Sequence, residues 1–147
     1  MIRPGLRAGL AGGKIFALHN TFPLDGRVSA YPLGARGHAA SNCYLLYEDD
    51  GALLLDTGYA AHEDTILKQL SSIIDSKMPL SLFPLRMNEF MSVGNAMAIV
   101  KRFNVVECHS PVPDVACWLA FETVGSDGKN KDIPTLATNL FDPSKKY

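Results

Sequence analysis

Gly37-His38-Ala39-Ala40-Ser41-Asn42-Cys43-Tyr44-Leu45-Leu46-Tyr47-Glu48-Asp49-Asp50-Gly51-Ala52-Leu53-Leu54-Leu55-Asp56-Thr57-Gly58 holds two apolar runs separated by an acidic turn with glycine. This is the pattern of a β-hairpin, with strands over 42–48 and 52–56. Leu53, Leu54 and Leu55 are apolar on consecutive positions, as in a strand buried on both faces, so the second run is placed in the middle of the sheet. It ends on a lone carboxylate, Asp56, at a sharp turn of the kind on which loops carry chemistry.

Upstream, Lys14 to His19 and Arg27 to Tyr31 read as short strands joined by a turn with Pro23 and Asp25-Gly26. Downstream, Ile66, Leu67, Leu70, Ile73 and Ile74 recur at helical spacing with Glu63, Asp64 and Lys68 opposite them, which predicts an amphipathic helix over 61–75. A strand over 80–83, a helix over 95–103 ending in Lys101-Arg102 and a strand over 105–108 follow. Strand, helix, strand, helix, strand is the grammar of an α/β layer with parallel crossovers. Beyond Ser110, Pro111-Val112-Pro113-Asp114 precedes a short predicted helix over 115–123 with Asp114 as its cap. Residues 125–132 are polar and turn-rich, and no periodicity runs through the tail to Tyr147.

A length of 147 residues suits one domain with its own core. The net charge of -1 and the lack of a basic stripe give no footing for nucleic acid. Cys43, Cys108 and Cys117 are an odd set without Cys-x-x-Cys spacing, which argues against a disulfide framework or zinc ribbon and suits a reducing, cytoplasmic setting. Met1 to Gly13 carries two arginines but lacks the apolar core of a secretory signal, and no run is long enough to span a bilayer.

The Asn-x-Tyr-Leu-Leu strand at Asn42 to Leu46, the Leu-Asp-Thr-Gly turn at 55–58 and Gly94-Asn95 at a helix start resemble, in order and spacing, the metallo-β-lactamase superfamily. The resemblance covers residues 37–106. It implies an α/β half sandwich, a mixed sheet covered by helices on one face, with a flexible lead over 1–13, the half-domain over 14–124 and an irregular tail over 125–147. In that family a His-x-His-x-Asp-His loop precedes Gly-Asn, and in the flavodiiron branch one of its histidines is commonly a glutamate. Aligned on Val93-Gly94-Asn95, these ligand positions hold Met87, Glu89, Met91 and Ser92. Only Glu89 is able to ligate a hard or borderline metal, and one glutamate does not make a centre. The family's remaining ligands lie in the second half of its αββα sandwich; here the sole later histidine, His109, comes too early for them.

The resemblance therefore implies a non-catalytic subunit or interaction module, a pseudoenzyme with a degenerate metal site. A half sandwich leaves an apolar sheet face or edge uncovered, which implies a protein partner or a homodimer. The enzymatic alternative is a metal-dependent hydrolase or flavodiiron-like oxidoreductase whose zinc or iron site is completed by another chain, with Asp56 and Glu89 as this chain's contribution. Asp56 also has a purely structural reading, because turns favour aspartate for local backbone hydrogen bonds. A second alternative starts from Leu53 to Gly58, which resembles the active-site turn of retroviral-type aspartic proteases, where two protomers each supply one Asp. The helix predicted directly after it is out of place in such an all-β protein.

Other chemistry finds less support. Met87 and Met91 with Cys108-His109 suit Cu(I), but methionines at that spacing usually fill cores. His19, His38 and His62 stand singly. Neither Ser92 nor Cys43 lies in a nucleophile elbow, and Gly9 to Lys14 lacks the spacing of a phosphate loop.

Overall fold

The computed structural model describes residues 7–27, 31–85 and 90–109. Within them the chain forms β1 (Arg7–Leu10), a 3-10 turn (Ala11–Gly13), β2 (Ile15–Leu18), β3 (Thr21–Pro23), β4 (His38–Ala40), β5 (Cys43–Glu48), β6 (Gly51–Leu55), a 3-10 turn (Ala60–His62), α1 (Glu63–Ser71), β7 (Leu80–Phe83), α2 (Phe90–Val93), α3 (Ala96–Arg102) and β8 (Val105–Cys108). The helix expected over 115–123 with its Asp114 cap, the tail over 125–147, Cys117, Met87 and Glu89 lie outside the described residues.

Six strands make one sheet in the order β1-β2-β5-β6-β7-β8, and β3 and β4 form a separate pair. The hairpin is as expected: Leu45 opposes Leu54 and Leu46 opposes Leu53, closed through Asp49-Asp50. β1, β2, β5 and β6 are antiparallel neighbours, whereas β6, β7 and β8 are parallel. Parallel neighbours need crossovers, and the segments carrying α1 and α3 supply them.

Alternation along the strands sends Leu18, Cys43, Leu45, Leu54, Leu80, Leu82 and Cys108 to one face, where they pack with Ile66, Leu67 and Leu70 of α1 and Ala96 and Ile99 of α3. Each fully buried leucine contributes at most about 3 kcal/mol from apolar burial. Gln69 intrudes on this face and is satisfied there: its Nε2 donates to the His19 carbonyl at 3.3 Å and its Oε1 accepts from Asn20 Nδ2 at 3.2 Å. The sheet is thus mixed and carries its helices on one face.

Local differences from the sequence reading have identifiable causes. The strand expected over 27–31 is not formed at its described ends, Arg27 and Tyr31; the pairing falls earlier, on Thr21–Pro23, within the segment read as a turn. Pro23 is tolerated because β3 is an edge strand, and the Asp25 carboxylate accepts the Arg27 N–H at 3.1 Å, turning the chain away. Residues 7–10 of the glycine-rich lead add β1 to the sheet. The helix expected over 61–75 starts as a 3-10 turn and ends at Ser71. Ser72 Oγ donates back to the Gln69 carbonyl at 2.6 Å, and the Ile73 and Ile74 N–H groups both reach the Leu70 carbonyl at 2.9 Å, so turns carry Ile74 into the core.

Candidate functional site

The carboxyl ends of β6, β7 and β8 lie at one end of the sheet, the place where open α/β sheets hold ligands. β6 delivers Asp56 there in the left-handed region (φ 60°), a conformation that aspartate tolerates through local hydrogen bonding. The Asp56 N–H donates to the Phe83 carbonyl at 3.1 Å, extending the β6–β7 ladder by one residue. Its carboxylate is buried, and Oδ1 accepts the Leu85 N–H at 2.8 Å and the Ser92 hydroxyl.

The next residues complete the knot. Thr57 donates twice to the Ser92 carbonyl, from its N–H and from Oγ1, each at 3.0 Å, and Oγ1 accepts the Asn95 N–H at 3.1 Å. Asn95 Nδ2 donates to the carbonyls of Thr57 at 2.8 Å and Tyr59 at 2.9 Å. Its Oδ1 is buried without a hydrogen-bond partner among the described residues. Gly58 is required twice over: its φ is 79°, and a Cβ there would lie 2.3 Å from Ile66 Cδ1 and 3.2 Å from Cys43 Sγ.

These donors do not make a metal centre. Among the described residues no group of three or more His, Cys, Asp or Glu side chains is placed to hold an ion. Glu89 is outside the described residues, and Ser92, expected from the resemblance to stand where a loop histidine would, is fully buried and turned to Asp56. The same burial closes Ser92 and Cys43 to a substrate.

The histidines are dispersed. His19 Nδ1 meets Asn42 Oδ1 at 2.8 Å, His62 Nε2 donates to the Thr21 carbonyl at 3.0 Å, and His38 is exposed on β4. His109 Nε2 lies 2.8 Å from Glu107 Oε2 and its ring stands edge-on to Phe83. Cys108 is in the core, and burial pushes its thiol up to about 11, so it does not join its neighbour His109 as a soft-metal pair. α1, close behind the turn, also denies Asp56 the all-β surroundings of an aspartic protease.

Thr57 and Asn95 were not legible in sequence as the tie between turn and helix. The visible signal was the spacing of Leu-Asp-Thr-Gly and Gly-Asn alone. The polar set of His19, Asn20, Asn42 and Gln69, of which Asn20 and Gln69 are buried, gave none, since its members come from separate elements.

Comparison with solved structures identifies the fold. Rubredoxin oxygen:oxidoreductase from Desulfovibrio gigas superimposes with a TM-score of 0.62 at 21% identity over 88% of this chain and 30% of that one. A flavo di-iron protein from Thermotoga maritima gives 0.56 at 17% identity over 85% and 30%. A mono-zinc metallo-β-lactamase from Pseudomonas aeruginosa gives 0.54 at 12% identity over 80% and 46%. The chain has the fold of these metallo-β-lactamase and flavo di-iron structures. It spans less than half the length of these structures. No protein-family model and no curated protein matches it.

Proposed function

We propose that this chain is a non-catalytic metallo-β-lactamase-fold subunit or interaction module, working through protein contacts in the cytoplasm, where its buried thiols Cys43 and Cys108 stay reduced. One observation carries the reading. Ser92 uses its hydroxyl to hold Asp56 and its carbonyl to hold Thr57, so the position that bears a ligand in the resembled family is here part of the scaffold. Asp56 is engaged in the same scaffold and does not stand open to a metal or substrate.

A second reading draws on the gathering of the β6, β7 and β8 ends and on the di-iron and mono-zinc proteins that share the fold. In it another chain supplies the ligands of a zinc or iron centre to which Glu89 contributes. Metal content separates the two. Purified protein, with and without added zinc or iron, is expected to hold well under one metal per chain and to be indifferent to Glu89→Ala. Stoichiometric metal lost on Glu89→Ala would overturn the non-catalytic reading.

A further inference from the structure

We draw no further inference here: the strongest candidate, the groove of about 480 Å³ between α1 and α3 with Glu63 and Lys101 in its lining, carries nothing, because nothing in the structure shows what covers it.

Discussion

Asn95 holds Thr57 twice, its backbone N–H donating to Oγ1 at 3.1 Å and its side-chain amide to the carbonyl at 2.8 Å. The same amide nitrogen also reaches the Tyr59 carbonyl, so one side chain fixes the turn to the start of α3. Asn95→Asp replaces this donor with an oxygen facing two carbonyls and should cost more than about 3 kcal/mol, against about 2 kcal/mol for Asn95→Ala. Urea unfolding of the two variants checks the order; equal losses would mean that the amide donor is not what matters.

Asp56→Asn keeps an acceptor for Leu85 and Ser92 and tolerates the left-handed backbone, so it should cost only about 1 kcal/mol. Asp56→Ala loses both bonds and adds backbone strain, for a loss of roughly 3 kcal/mol. Thermal melts of both variants test this. Loss of a peptidase activity in Asp56→Asn without loss of stability would instead revive the protease reading.

Gly58→Ala meets Ile66 Cδ1 and a φ of 79° together and should destabilise by about 2–4 kcal/mol. Ile66→Val removes the clashing atom. In a double-mutant cycle the pair should lose less than the sum of the single changes by about 1 kcal/mol or more, the remainder being the backbone cost. Strict additivity would exclude the close approach.

Cys108 gives the fold an alkaline weakness. Its thiol is raised from an ordinary 9.0 to about 11 by burial, so above pH 9 the unfolded chain releases a proton that the folded chain retains. The stabilisation is complete below pH 9 and is lost as pH climbs to about 11, amounting to roughly 2–3 kcal/mol. Denaturation series from pH 8 to 11 should show a steeper fall for the wild type than for Cys108→Ala. Parallel curves would show that the thiol does not titrate on unfolding.

Where local pattern and burial agreed, the fold was open to reading from sequence. The leucine runs around Asp49-Asp50 set the hairpin, and Val105 to Cys108 stood out as a short β-branched run. β1 has only Leu10 to signal it, and β3 and β4 are three-residue bridges whose pairing partner decides their existence. At the site, Asp56 was found because it ends an apolar run. The roles of Ser92 and Asn95 were hidden, since hydrogen bonds spanning 36 and 38 residues leave no periodic trace.

The ends of Ser92 are both spoken for, and its side chain has no exposed surface. An imidazole introduced there would have to find room in a filled interior while withdrawing the hydroxyl that steadies Asp56. Anyone seeking to build a catalyst on this framework would find position 92 to be masonry: new ligands have to be set outside the turn, on ground the turn itself keeps still.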